Sequence, residues 1–473
     1  MNRFALTILI AGPGLALAPA ATAGTTIDVP GPLNFTIQEA IDIAESLGAT
    51  QLNIADGVYV ESLRLPDNGY DLVLMGNPAV PNAVVIEPLG LNDSAIHVLG
   101  GQTAATQIIG LTIVNGNADG LDDDGDAEAD DRGGGLYVNA SDVTVIDCSF
   151  LSNNASGAGG AFYVNAGSVM FDNCLFQLNG ASNGGGAYLN AATATFTECI
   201  FEDNTAFTAF GGGMRTTGST TTLTRCSFVG NSANADGGGI FQSGVGSLTI
   251  VASELVGNDA NLGGGMYVAG TVDARDTIIN GNIAANTGGG VYVTSSGILA
   301  LVNATVVNNT GLIGGVAGAG TINVRNGIFW SNGVPLGGNP AVSYSMVEGG
   351  WVGTANINPP AGPGFMDELG SDLTLGTSDD DLTLAAGSPA IDAGDASAAV
   401  AGYPADHDGL PRAVDDPDTT DTGLAVLGLV VDMGAHEFQT APPVVTCPGD
   451  IDGDNNVGIT DFLQLLSAWG PCS

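Results

Sequence analysis

Apolar and polar residues alternate in short runs through the middle of the chain, and the runs come in sets of three. One set reads Leu136-Tyr137-Val138, Val143-Thr144-Val145 and Cys148-Ser149-Phe150. Each run has period two and is too short and too closely punctuated by glycine for a helix, so each predicts a half-buried strand. The set then recurs. Glycine runs end at Gly135, Gly186, Gly213, Gly239, Gly265 and Gly290, with weaker copies at Gly159-Gly160-Ala161 and Gly314-Gly315-Val316, and successive copies lie 25 to 27 residues apart. A second mark keeps step with the first: Phe150, Phe176, Phe201 and Phe228, then Leu255, Ile279, Val306 and Phe329, each have asparagine three residues on, from Asn153 to Asn332.

A fixed period of this length means one supersecondary unit per repeat, unable to bury its apolar face without its neighbours. Three strands per unit predict one coil of an all-β, right-handed parallel β-helix solenoid, in which inward residues stack about 4.8 Å apart along the axis. The columns can be read directly. Phe150, Phe176, Phe201 and Phe228 form one; Cys148, Cys174, Cys199 and Cys226 form another, continued by Ser253, Thr277 and Ala304. Parallel side-chain directions suit disulfides poorly, so these cysteines read as a buried stack of small residues. The asparagines predict a ladder of hydrogen-bonded amides, and the glycines positive φ at corners and close backbone approach.

Gly-Gly-hydrophobic followed by Phe-x-x-Asn resembles the repeats of chlamydial polymorphic outer membrane proteins and of secreted bacterial β-helix proteins with a pectin-lyase-like fold, over roughly residues 100 to 335. Phe35-Thr36-Ile37-Gln38-Glu39-Ala40-Ile41 with Gly57-Val58-Tyr59-Val60-Glu61 resembles the cap helix and first coil of pectate lyases and pectin methylesterases. Ser388-Pro389-Ala390-Ile391-Asp392-Ala393-Gly394 and Asp432-Met433-Gly434-Ala435-His436-Glu437 resemble the tail that follows such repeats in secreted proteins. These marks divide the chain into a signal peptide (1–23), a β-helix (24–333, with cap helix and first coils to 99), final coils and a C-terminal cap (334–440), and a linker with a small module (441–473). No series of ten-residue alternating strands follows residue 333, so no translocator barrel is expected.

Composition adds a location. Arg3, the apolar run 4–18 and Ala21-Thr22-Ala23 read as a cleaved secretory signal, and no later stretch offers the roughly 20 apolar residues that span a bilayer. With 8 basic against 50 acidic residues and no lysine, the chain repels nucleic acid and anionic headgroups and suits cations. A secreted, extracellular or cell-surface protein is expected.

The sharpest chemical motif lies at the end. Asp450, Asp452, Asp454, Asn456 and Asp461 occupy loop positions 1, 3, 5, 7 and 12 of an EF-hand arrangement, Asn456 through its carbonyl. Phe462, Leu465, Leu466 and Trp469 then share one helical face. The segment resembles one half of a dockerin repeat, which implies Ca2+ as cofactor and a cohesin-like protein as partner, although a cohesin-binding dockerin has two such copies. Cys447 and Cys472 bracket the module, and a disulfide between them is expected. A second acidic run, Asp122, Asp124, Asp126, Glu128 and Asp130, resembles the calcium loops of thrombospondin type 3 repeats; a calcium site and a solvated insertion both fit it. Asp406-His407-Asp408-Gly409 reads as a plain surface turn.

In the strand after each glycine run the middle residue should face outward, and that position reads Tyr137, Tyr163, Tyr188, Arg215, Phe241, Tyr267 and Tyr292. An outward aromatic row suits stacking against sugars, or simple packing between neighbouring strands. Catalytic residues are not evident. The arginines are scattered, without the Arg-x-Pro-x-x-Arg of pectate lyases; the motifs of polygalacturonases are missing; and His97, His407 and His436 lie outside the core repeats. The sequence therefore favours a non-catalytic surface protein for adhesion or binding of extracellular polysaccharide, with a calcium-dependent C-terminal module. The alternative is a pectate lyase-like or other carbohydrate-active enzyme.

Overall fold

The structure, a computed structural model, describes residues 25–29, 36–119, 131–397 and 404–439. The signal segment 1–23, the acidic run Asp122–Asp130, the calcium loop Asp450–Asp461 and the Cys447 and Cys472 pair lie outside the described residues.

Among the described residues the strands assemble into four parallel sheets of thirteen, seven, ten and twelve strands, and one antiparallel pair, Phe365–Asp367 with Asp381–Leu384. One coil runs through Leu136–Asn139 in the ten-stranded sheet, Val143–Ile146 in the thirteen-stranded and Ser149–Leu151 in the twelve-stranded. It closes through Asn154–Ala158 in the seven-stranded sheet before the next coil begins at Phe162. The expectation of three strands per coil is thus corrected to four across the central coils. The fourth strand carries no hydrophobic alternation; it packs by a column of small side chains, Ala118, Ala155 and Ala181, continued by Ala206, Ala233 and Ala260.

The columns hold the core. Phe150, Phe176, Phe201 and Phe228 are fully buried, with successive ring centroids 5.2, 4.5 and 4.5 Å apart, and stacked pairs of this kind add about 0.5–1.5 kcal/mol each beyond their area. The four cysteines beside them are buried and free. Burial pushes the Cys148 thiol up to about 12, so thiolate chemistry is suppressed. Three residues past the phenylalanines the amides form the expected ladder. Asn179 Nδ2 donates to Asn204 Oδ1 at 2.9 Å and to the Phe150 carbonyl at 2.9 Å, while its Oδ1 accepts from the backbone and side chain of Asn153 at 2.9 and 3.0 Å. The same pattern repeats to Asn332. Each buried amide is thereby satisfied, which removes the cost of about 1–3 kcal/mol that an unpaired polar group carries.

In several coils glycine turns only one corner. Gly184 has φ 59°, but the other corners are turned by residues such as Ala191 (50°), Glu198 (53°) and Asp203 (52°), held there by the ladders of the neighbouring coils. The rest of the glycine run serves close approach: a Cβ on Gly185 would lie 2.4 Å from the Thr205 carbonyl carbon, and one on Gly186 2.5 Å from the Gly213 oxygen.

The two ends are closed differently. At the N-terminal end the helix Ile37–Leu47 starts with a capping box between Thr36 and Glu39. Its first amides, Ile37 and Gln38, donate to the Glu61 carboxylate at 2.9 and 3.0 Å, and Ile37, Ala40, Ile41 and Ala44 seal the core. At the other end a tail folds back along the outside of the twelve-stranded sheet. Ala390, Ile391, Ala393 and Met433 pack on Ile328 and Met346, and Ala435 and Leu382 on Ile278 and Val307. No helix among the described residues is long and apolar enough to cross a membrane.

Candidate functional site

Leu136 and Val138 point into the solenoid and are fully buried, so the residue between them on a pleated strand faces out. In-register pairing places Tyr137, Tyr163, Tyr188, Arg215, Phe241, Tyr267 and Tyr292 in one row along the ten-stranded sheet. His97 precedes them, paired with Tyr137. It belongs to one of the first coils, ahead of the regular repeats, and its Nε2 lies 2.9 Å from Asp93 Oδ1. The row ends at Ala317.

The rings are used largely on one another. Tyr137–Tyr163, Tyr163–Tyr188, Phe241–Tyr267 and Tyr267–Tyr292 have centroids 5.7, 5.3, 4.8 and 5.5 Å apart. Tyr137, Tyr163 and Phe241 are buried at 7, 4 and 7% exposure, while Tyr188, Arg215, Tyr267 and Tyr292 remain half-buried. The outward aromatic row is thus partly covered by its own members. Burial raises the Tyr163 hydroxyl above its ordinary value, as it does that of Tyr267, where Asp236 adds to the effect.

Arg215 interrupts the aromatic series and is held by it. Its guanidinium carbon lies 4.8 Å from the Tyr188 ring centre, 5.3 Å from Phe210 and 5.4 Å from Phe241, a cation–π cage, and Nη1 donates to Asn183 Oδ1. Arg132 stands over Tyr163 at 5.2 Å and pairs with Asp131 at 3.3 Å. Beside the aromatic row runs a second one of amides. Asn165 donates to Asn139 at 2.9 Å and Asn190 to Asn165 at 2.8 Å. Tyr163, Tyr188, Asn165, Asn190, Arg132 and Arg215 line an open cavity of about 400 Å³. Phe210 and the amide row were not foreseen. The amides had a signal, Asn139, Asn165 and Asn190 recurring at the same strand position; Phe210 comes from a stretch present once.

A second polar assembly was misjudged. Asp406, expected in a plain surface turn, is buried at 2% exposure, and its carboxylate accepts from the amides of Asp408, Leu410 and Glu437. Nearby Arg412 is fully buried, 2.7 Å from Asp276 and 3.5 Å from Glu437. His407 reaches the Asp276 carbonyl at 3.0 Å, so the segment fastens the tail to the coils.

The family model described as right handed beta helix region matches residues 94–255 and 182–329. The solenoid is a right-handed parallel β-helix. No match was found among curated proteins. Among solved structures, this β-helix is similar to the catalytic domain of a GH87 α-1,3-glucanase in complex with tetrasaccharides, at 12% identity over 75% of this chain and 69% of that one, with a TM-score of 0.38. It is also similar to PfbA, a surface adhesin of Streptococcus pneumoniae, at 15% identity over 66% of this chain and 80% of that one, with a TM-score of 0.33. At these values neither likeness bears on what this β-helix binds.

Proposed function

We propose that the chain is a secreted, non-catalytic β-helix that binds an extracellular polysaccharide bearing carboxylates along the ten-stranded sheet. The observation that carries this reading is the cavity that gathers Arg132 and Arg215, half-exposed tyrosine and a row of amides on one outward face. In a chain with 8 basic residues against 50 acidic, two guanidiniums on one groove are a local exception to the field. Guanidinium recognises a carboxylate bidentately, amides suit sugar hydroxyls, and the exposed parts of Tyr188 and Tyr267 offer faces for pyranose rings. Hydrolysis would need two opposed carboxyl groups, and Asp131 is the single carboxylate among the described residues lining the cavity. The loop Asp450–Asp461, read as an EF-hand-like dockerin half, is proposed to bind calcium and to anchor or assemble the chain.

Retention on immobilised polygalacturonate, with a neutral glucan as control, tests the reading. Replacing Tyr188, Arg215 and Tyr267 together by alanine is expected to abolish retention with unchanged circular dichroism. Unaltered retention returns the row to a packing role. Unsaturated uronate products from the wild-type chain would instead select the lyase alternative.

A further inference from the structure

We infer that Asp392, Asp415 and Asp421 form a calcium site that fastens the C-terminal tail to itself and so to the end of the solenoid, independently of the polysaccharide face. The three carboxylates converge, with one oxygen from each within 4.8 Å of the others. Oxygens bound to one calcium at about 2.4 Å lie no more than about 4.8 Å apart, so one ion spans such a set.

Convergence of acids alone would not indicate an ion. The second observation is Asp392 itself, which is fully buried. Its Oδ2 accepts from the Asp416 amide at 3.2 Å, but its Oδ1 is buried with no hydrogen-bond partner. A buried carboxylate oxygen without a donor is costly, and the cost grows with the like charge of Asp415, Asp421 and Asp416 around it and of Asp432, whose carboxylate accepts from the Asp392 amide at 2.8 Å. A hard divalent cation answers both at once: it supplies the missing partner and cancels the repulsion. Asp415 and Asp421 are exposed, so the ion has a path from solvent and room for water to complete the six to eight oxygens that calcium takes.

The neighbouring acids sharpen the choice. Asp416 sits beside Asp392, but its own carboxylate is taken by the Asp418 amide at 3.2 Å and the Thr419 hydroxyl at 2.7 Å. In the other convergent set, Asp406, Asp408 and His436, Asp406 accepts backbone amides and Asp408 faces the His436 ring at 3.0 Å. No orphaned oxygen is found there among the described residues. The Asp392 carbonyl meanwhile accepts from Thr422 and Gly423, each at 3.0 Å, so the segment carrying Asp415 and Asp421 already lies against it and the ion would lock that contact.

Calcium bound per full-length chain, measured by equilibrium dialysis and calorimetry in a background carrying Asp450→Ala and Asp454→Ala, decides the matter. Asp421→Asn, at an exposed position that leaves folding intact, is expected to lower the count by one ion, and Asp392→Asn to do the same. Calcium should also slow thermolysin cleavage of the tail in the parent and not in Asp421→Asn. An unchanged count and affinity in Asp421→Asn overturns the site. Equal affinity for magnesium overturns its assignment to calcium.

Discussion

The outward column at the start of each strand in the twelve-stranded sheet has two halves. Over the five coils after the buried Thr112 it reads Ser149, Leu175, Ile200, Ser227 and Glu254, none of them fully buried, with Ile200 43% exposed. Downstream the same column reads Ile278, Thr305, Ile328 and Met346, and exposure falls to 7% or less. The backbone is the same in both halves; what differs is the tail. On this sheet the upstream coils bury what faces the axis, by columns repeated coil after coil, and leave the outward column without a covering layer. The downstream coils are also held from outside, by groups that each occur once: Ala435 N–H donates to the Thr305 hydroxyl at 2.9 Å, Gly434 N–H to the Asn326 carbonyl at 2.7 Å, and Arg412 pairs with Asp276. Repetition and single-use polar chemistry thus stabilise two parts of one solenoid.

The largest effects should come from the repeated columns. Phe201→Ala empties a fully buried position and is expected to cost about 3–5 kcal/mol in denaturant titration. Tyr188→Ala, on the half-buried outer row, should cost distinctly less. Equal losses would mean that the inner and outer faces are not energetically distinct.

In the tail, Arg412→Met leaves the buried carboxylates of Asp276 and Glu437 without their cation. Removing one partner of a buried pair typically costs about 3–5 kcal/mol, here expected as early release of the tail, read by limited proteolysis, ahead of unfolding of the upstream coils. Simultaneous loss of both would merge the two regions into one cooperative unit.

The smallest effect is a pH gradient confined to the tail. Burial raises the Asp432 carboxyl to about 7, with Asp392 adding to the rise and Arg412 opposing it. Glu437 is also raised, by burial and by Asp432. Between the ordinary carboxylate range and pH 7 the folded chain keeps a proton at Asp432 that the unfolded chain has released. Its contribution is therefore present at low pH and is lost as pH rises through about 7. His407, lowered by burial and by His436, acts in the opposite sense in wild type and variant alike. Asp432→Asn should flatten the fall in tail stability between pH 4 and 8, measured by proteolysis; an unchanged slope would remove Asp432 as its source.

The coils were legible because every inward position is written many times over. Phe201, Cys199 and Asn204 each announce their neighbours one period away, and the ladder through Asn231 and Asn258 follows from spacing alone. The fourth strand was missed because its cue is small and local: alanine two residues after the ladder asparagines from Asn153 to Asn282, as in Asn179-Gly180-Ala181 and Asn231-Ser232-Ala233. The tail was illegible for a different reason. Arg412 meets Asp276 across 136 residues, and Asp395 N–H meets Asn326 Oδ1 across 69; neither pairing recurs, so no period points to it. The outward row could be written down from sequence, but how far its rings cover one another depends on Phe210 and on ring orientation.

The tail also changes how the molecule answers force. A bare solenoid loaded at one end can peel, shedding one coil at a time, because each coil grips only the next. Here the described tail is fastened to several coils at once, by Arg412 to Asp276, by Ala435 to Thr305 and by Asp395 to Asn326. Tension entering from that side meets these fastenings side by side, so they must shear together before the last coil is exposed to peeling.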